Sequence, residues 1–315
     1  MELKQLRYFV GVSEAGSLLK ASSRLHIAQP ALGQHIVTLE AELGARLFER
    51  SSRGVALTEA GKTFLEHARV VLGDVERARQ AVRDTAGIPR GEVALGLPTT
   101  VALVSTLPIL SACRAQYPEV RLKVVEAYSG FLKEWLLAGR LDLALFFGSK
   151  PEPGLAKQAL LEDRIVFVTS ATGRPGPSKM SLAALADQPL VLPGKEHGLR
   201  RIVDEACAPL KLQLDVVAEI ESLGSVKRAV EAGIGSTILP QASVTEEVAA
   251  GRLRTAVIDS PLMSRRVVCA SHTQRPVSSA SAAVQALVVE VLRGMVEDGT
   301  WPARWVGEVR AQARS

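Results

Sequence analysis

The sequence predicts a mixed fold: an all-α N-terminal domain carrying a β-ribbon, a long linker helix, and an α/β domain of two Rossmann-like subdomains, a periplasmic-binding-protein-like arrangement. Three observations predict it. Apolar residues recur at helical spacing through the first sixty residues, interrupted only by short turn signals. A heptad stripe then runs from Phe64 to Val82. From Glu92 onward, strand-length apolar runs alternate with helical segments, which is the pattern of an α/β domain with a largely parallel sheet.

The elements follow in order. Leu6, Phe9, Val10 and Val12 mark a first amphipathic helix ending near Gly16, and Ser17 caps a short second helix through Leu25. His26 and Ile27 form a tight turn. Pro30 sits where a first helical turn tolerates proline, and Leu32, Ile36, Leu39 and Leu43 make the single buried stripe of a third helix that stops at Gly44. Two short helices joined by a turn form a helix-turn-helix. Residues 47–57 then give two extended runs around Arg53-Gly54, a β-ribbon or wing, and Thr58 caps a long helix. In that helix Phe64, Ala68, Val71, Val75, Ala78 and Val82 alternate at spacings of four and three, a narrow seam that calls for a partner helix and so for a dimer. Residues 85–91 (TAGIPRG) are the linker to the next domain.

Beyond it, expected segments are 93–97, 102–117, 120–126, 129–139 and 142–147, then 164–169, 181–186, 189–192, 197–209, 214–220, 222–232 and 236–239. A strand near 265–270 and a helix near 279–297 return to the first half. The expected organisation is therefore 1–58 for the winged helix-turn-helix and 59–90 for the dimerisation helix and hinge. The α/β domain covers 91–300, with subdomain I at 91–161 and 268–300 and subdomain II at 162–267. A tail occupies 301–315, where Trp301, Trp305 and Val309 stand at helical spacing.

Composition excludes several classes. With 315 residues, 47% hydrophobic and 23% charged, the chain is long enough for two or three domains and too apolar for disorder. The net charge of +5 invites a polyanion but is spread evenly: residues 1–60 carry seven basic against six acidic side chains, and 91–315 carry 25 against 23. Three widely spaced cysteines with no CxxC pair fit a reducing cytoplasm rather than a disulfide framework. The N-terminus has no uninterrupted apolar run of a signal peptide. The uncharged stretch 93–113 holds two prolines and several hydroxyl residues, so it is a strand, a turn and a helix rather than a membrane span.

The ordered set Ala21, Leu25, Gln29, Pro30, Ala31, Leu32, Ile36, Leu39, Glu40, Leu43, Gly44, Leu47, Phe48, Arg50, Arg53, Gly54, Val55, Leu57, Thr58 and Gly61 resembles the winged helix-turn-helix of the LysR-type transcriptional regulators. The remainder resembles the effector-binding region of that family in length and in βα order. The stretches HIAQPAL (26–32), GEVALGL (91–97) and EIES (219–222) are similar to its nitrogen-assimilation-control branch. The sequence departs from the family's usual Ser or Thr at Ala28, and from its usual Ser at Gly33. Ala28 supplies no side-chain cap, at a cost of roughly 0.5–2 kcal/mol.

Candidate contacts follow from chemistry beside that resemblance. Gln29, Pro30, Ala31, Gln34 and Thr38 point away from the buried stripe of the third helix. Amides there can pair bidentately with adenine, and Ala31 can pack on a thymine methyl. Arg50 and Arg53 on the wing suit phosphate or a narrow minor groove. Against this stands the ordinary alternative of a solvated polar face. In the α/β domain Thr99 and Thr100 open one helix and Ser129 another, each at the carboxyl end of a strand, where free N–H groups suit an anion. The resemblance places the corresponding positions in the effector cleft; the plainer reading is that they only cap helices. Arg200 or Arg201 is a candidate cation there, with Ser222 or Phe147 as a wall.

Catalytic patterns are poor. The five histidines show no metal spacing, and neither a GxSxG elbow nor a Walker loop appears, so no cofactor and no metal are expected. Gly233-Ile234-Gly235 follows a helix and is a C-cap. Cys207 has no resolving cysteine nearby. The expectation is a DNA-binding regulator on double-stranded DNA, self-associating as a homodimer, with an interrupted, A·T-rich inverted repeat as operator. The family further implies a homotetramer, RNA polymerase as a partner, a small-molecule effector and no membrane. The rival class is a small-molecule-binding protein or enzyme whose N-terminal helices only oligomerise.

Overall fold

The computed structural model describes residues 1–51, 54–83, 88–148, 150–172 and 176–307. The chain separates into two compact units, Met1–Ile88 with Trp135–Arg140, and the remainder.

In the first unit α1 (Leu3–Ala15) ends on Gly16 at φ 61°, and α2 (Leu18–Leu25) starts from Ser17, whose side chain accepts from the Lys20 N–H. His26 closes α2 in the left-handed region at φ 52°. The third helix, α3 (Gln29–Leu43), opens with Pro30 in its first turn, has no side-chain cap from Ala28, and stops at Gly44. Leu32, Ile36 and Leu39 are buried against Leu6, Phe9, Val12, Ala21 and Leu47. Each fully buried side chain of this kind contributes about 1.5–3 kcal/mol relative to exposure.

The wing is β1 (Phe48–Ser51) paired antiparallel with β2 (Gly54–Leu57). The Glu40 carboxylate fixes its base to α3 by accepting from the Leu47 and Phe48 N–H groups at 2.8 and 3.1 Å. Thr58 Oγ1 accepts from the Gly61 N–H at 2.9 Å and caps α4 (Glu59–Arg83). That helix lies so close to the ribbon that a Cβ on Gly61 would stand 2.0 Å from the Leu47 carbonyl oxygen. Phe64 meets Phe9 edge-on at 5.0 Å and Ala68 is buried, so the start of the heptad seam belongs to this core. Farther along the seam Val71 and Val82 are exposed, Val82 at 74%. The first three residues of the expected linker, 85–87, lie outside the described residues.

In the second unit β3 (Gly91–Leu97), α5 (Thr99–Gln116), β4 (Val120–Glu126), α6 (Ser129–Leu137) and β5 (Leu143–Phe147) follow as the spacing predicts. Next comes β6, which spans Leu155–Ser170, far longer than the expected 164–169. It leads to β7 (Lys179–Ser181), a 3-10 turn at Ala183–Asp187, and β8 (Pro189–Leu192). The chain continues through α7 (Gly198–Cys207), β9 (Asp215–Glu219), α8 (Leu223–Glu231) and β10 (Thr237–Pro240). It closes with α9 (Thr245–Ala249), β11 (Leu253–Asp259), β12 (Ser264–His272), α10 (Ser279–Glu297) and β13 (Ala303–Trp305).

Among the described residues nine strands form one sheet, ordered β4-β3-β5-β12-β6-β11-β7, with β10 and β13 also on β6. The expected largely parallel sheet is corrected to a mixed one. The pairs of β3 with β4 and β5 and of β8 with β9 are parallel, but β10, β11, β12 and β13 all meet β6 antiparallel. The reason is connectivity: β6 and β12 run in opposite directions between two hydrophobic cores. One core includes Val93, Leu145, Leu161, Val267 and Leu287; the other lies within Ile165–Met263. Helix α10 is long and apolar enough by composition to cross a bilayer, yet Val284, Leu287, Val288 and Leu292 are buried in the first core.

The expected tail is also corrected. Trp301 is buried in the first core and residues 303–305 form a strand on β6 instead of a helical turn, because the spacing of Trp301 and Trp305 serves a sheet edge. Val309 lies outside the described residues.

Candidate nucleic-acid interface and effector cleft

On α3 the stripe Leu32, Ile36, Leu39 faces inward, so Gln29, Pro30, Ala31, Gln34 and Thr38 are all exposed on the opposite side. Thr38 Oγ1 donates back to the Gln34 carbonyl at 2.9 Å, which holds the hydroxyl against the helix. His35 meets the Tyr8 ring at a tilt of 55°, with centroids 5.0 Å apart. Arg50 stands on β1 opposite Val55, and Arg53 falls outside the described residues. An exposed amide and methyl row at the start of a helix, with a β-ribbon after it, is the arrangement that reads a major groove.

A second constellation gathers where the two α/β cores meet. Thr99 and Thr100 form the first turn of α5, whose N-cap is Pro98. Ser129 opens α6, and its Oγ accepts from the Phe147 N–H at 3.3 Å. Phe147 ends β5 and lies under the Arg265 guanidinium, 3.7 Å from ring centroid to Cζ. Arg265 Nη2 donates to Thr100 Oγ1 at 2.7 Å. Thr100, Ser129 and Phe147 are thus brought together around an arginine that sequence reasoning did not single out.

Across from them, the Tyr128 hydroxyl donates to Glu221 Oε2 at 3.0 Å and its ring meets His197 edge-on at 5.2 Å. Glu221 Oε1 accepts from the Gly194 N–H at 2.9 Å. Burial lowers the pKa of His197 below 6.5; Glu221 opposes this, and Arg265 and Arg201 add to it. Its Nδ1 accepts from the Leu199 N–H, capping α7. Ser222 caps α8 through the Ser225 N–H at 3.4 Å, on the exposed side.

Arg200 points elsewhere. Its guanidinium is buried and bound to Asp204 at 3.0 Å, Glu219 at 3.3 Å and the Pro193 carbonyl at 3.2 Å, so it ties α7 to β9 and to the loop after β8. The cation at the junction is Arg265. The signal in the sequence was a charged residue heading an apolar strand run, SRRVVCA (264–270), facing a similar one, EDRIVFV (162–168). Cys207 is buried with its thiol pushed up by burial and then by Asp204, the opposite of a reactive thiolate. Cys269 is pushed up to about 12 by burial. Among the described residues there is no cluster of metal-ligating side chains.

Residues 3–62 match the bacterial regulatory helix-turn-helix protein, lysR family, and residues 86–293 match the LysR substrate binding domain. The nitrogen assimilation regulatory protein nac of Klebsiella aerogenes is 35% identical over 93% of this chain and 95% of its own length. Its namesake in Escherichia coli (strain K12) is also 35% identical, covering 94% and 97%. Among solved structures, full-length CbnR complexed with its target DNA is 25% identical with a TM-score of 0.70, covering 93% of this chain and 99% of that one. A full-length OxyR variant from Pseudomonas aeruginosa, at 23% identity over 93% of this chain and 98% of that one, shares the fold with a TM-score of 0.71.

The chain belongs to the LysR family of DNA-binding transcriptional regulators. It is a regulator rather than an enzyme, and a purely oligomerising role for its N-terminal helices is not favoured.

Proposed function

We propose that this protein regulates genes of nitrogen control from an interrupted, A·T-rich inverted repeat, acting in the cytoplasm as a homodimer that pairs again into a tetramer. The observation that carries the reading is the exposed row Gln29, Ala31, Gln34 on α3, set on a fully buried stripe, in a chain 35% identical over nearly its whole length to a nitrogen assimilation regulator. Arg50 and Arg53 on the wing contribute phosphate or minor-groove contacts. The heptad spacing of Val71, Val75, Ala78 and Val82 along α4, with Val71 and Ala78 exposed, supports self-association, which places two copies of α3 on two half-sites. A small ligand held between the α/β halves at Thr99, Thr100, Ser129, Phe147 and Ser222 shifts their relative orientation and, through it, contact with RNA polymerase.

A salt titration of the full-length protein on DNA flanking its own coding region, with scrambled DNA in parallel, tests this. The expected result is specific retention near physiological salt while scrambled DNA is released. Equal release from both would reject sequence-specific reading of that DNA.

A further inference from the structure

Asp163 on β6 and Arg265 on β12 are cross-strand partners at the point where both strands pass from one core to the other. Arg265 Nε and Nη2 both donate to Asp163 Oδ2, at 3.1 and 2.9 Å, and the side chains are only 4% and 1% exposed. The other carboxylate oxygen, Oδ1, accepts from Trp301 Nε1 at 3.2 Å. Trp301 is 1% exposed, and two residues later Ala303 pairs with Asp163 through the backbone. Asp163 therefore has a donor on each oxygen and lies on a strand flanked by two others, so it has no freedom to swing aside.

The consequence concerns charge. A buried guanidinium with a free edge takes a carboxylate bidentately. In this protein that edge of the guanidinium is already taken within the chain, by a single oxygen of Asp163. Burial pulls the pKa of Arg265 down and Asp163 pushes it back up, and the guanidinium stays charged. An incoming carboxylate meets a pair with no net charge and brings its own charge beside Asp163, where two carboxylates in a dry site repel. Glu221 adds a further carboxylate next to His197 and Tyr128. What remains for a ligand is the hydroxyl of Thr99 and the N–H groups of Thr99 and Thr100 at the start of α5 and of Ser129 and Gly130 at the start of α6, which a neutral carbonyl oxygen can accept from.

We propose that Asp163, held in place by Trp301, sets the charge selectivity of this cleft: it neutralises Arg265, so the cleft takes uncharged, hydrogen-bonding ligands of the amide type and turns away free carboxylates. This rests on the reading of the cleft as a ligand site. Trp301 is a positioning residue in this scheme, acting only through Asp163.

The test is thermal unfolding of the full-length chain with matched probes, acetamide against acetate and benzamide against benzoate, at fixed ionic strength. The wild type, Asp163→Asn and Trp301→Phe are compared. The wild type is expected to shift with an amide and not with its carboxylate. Asp163→Asn, which leaves Arg265 unmasked, is expected to bind carboxylate on the order of tenfold tighter than the wild type. Trp301→Phe keeps a ring and loses the donor, so it falls between the two. A merely structural role for either residue would lower the midpoint without inverting the preference. Carboxylate stabilising the wild type as well as amide, or no gain of carboxylate binding in the variants, overturns the proposal. Should Asp163→Asn fail to fold, Trp301→Phe carries the same prediction in weaker form. DNA binding of the wild type is measured alongside: its loss would refute the regulator reading and leave the charge result standing.

Discussion

The α3 surface and the cleft are built in opposite ways. On α3 the candidate contact residues Gln29, Ala31, Gln34 and Thr38 are exposed, and the helix is held by the apolar stripe on its other side. In the cleft the polar groups hold one another: Arg265 on Asp163 and Thr100, Trp301 on Asp163, Tyr128 on Glu221, Glu221 on the Gly194 N–H. A surface that meets a polyanion leaves its hydrogen-bonding groups for the partner to satisfy, and an enclosed site satisfies its own in advance. The exposed row is therefore separable from stability on α3, whereas the polar groups around Arg265 are part of what holds the fold together.

The largest expected effect sharpens that contrast. Asp163→Ala leaves Arg265 charged, buried and unpaired, and should cost about 3–5 kcal/mol of stability by denaturant titration. A loss below about 1 kcal/mol would mean that water reaches the pair, and the cleft would then resemble the α3 surface. Next is Gln29→Ala, which should weaken specific DNA binding by roughly 1–3 kcal/mol while stability stays within about 0.5 kcal/mol. An equal loss on scrambled DNA would remove Gln29 from base readout. The companion change Arg53→Ala should lower affinity for all sequences and flatten the salt dependence; an unchanged salt slope would exclude a phosphate contact there.

The smallest effect is a pH dependence. His197 titrates below its ordinary 6.5 in the folded chain, so the folded state binds the proton less readily than the unfolded one. Its contribution is whole above about 6.5 and is lost as pH falls through the depressed folded value. His197→Gln should therefore flatten the decline of the melting midpoint on the acid side and leave its position at pH 8 nearly unchanged. An undiminished acid slope in that variant would assign the dependence to other groups.

These two constructions also explain what the sequence made legible. The boundaries of α1 to α4 follow from local signals, Gly16, Ser17, Pro30, Gly44 and Thr58, each acting within a few residues of its own position. Thr99, Thr100 and Ser129 could be located for the same reason, since helix starts after strands are local features. The cleft's central group could not. Asp163, Arg265 and Trp301 are separated by 102 and 138 residues, and their meeting depends on three strands aligning side by side. The mixed sheet escaped for a related reason: alternation does not show whether a neighbour runs parallel or antiparallel, and the partners of β6 come from far along the chain. Trp301 and Trp305 lie four apart, a spacing shared by a helical face and one side of a strand, and only burial distinguishes the two.

The 16-residue β6 has a mechanical meaning. At ~3.3 Å per residue it is a rod of roughly 50 Å that enters one core and leaves through the other without a loop between them. Its antiparallel neighbour β12 crosses alongside, with a register shift between Val267 and Val268 just past the crossing. Rotation of one half against the other must twist this continuous ladder, since there is no slack chain to uncoil. The joint then behaves as a torsion spring: displacement is graded, energy is stored as added strand twist, and the halves recoil to their resting angle when the load is removed.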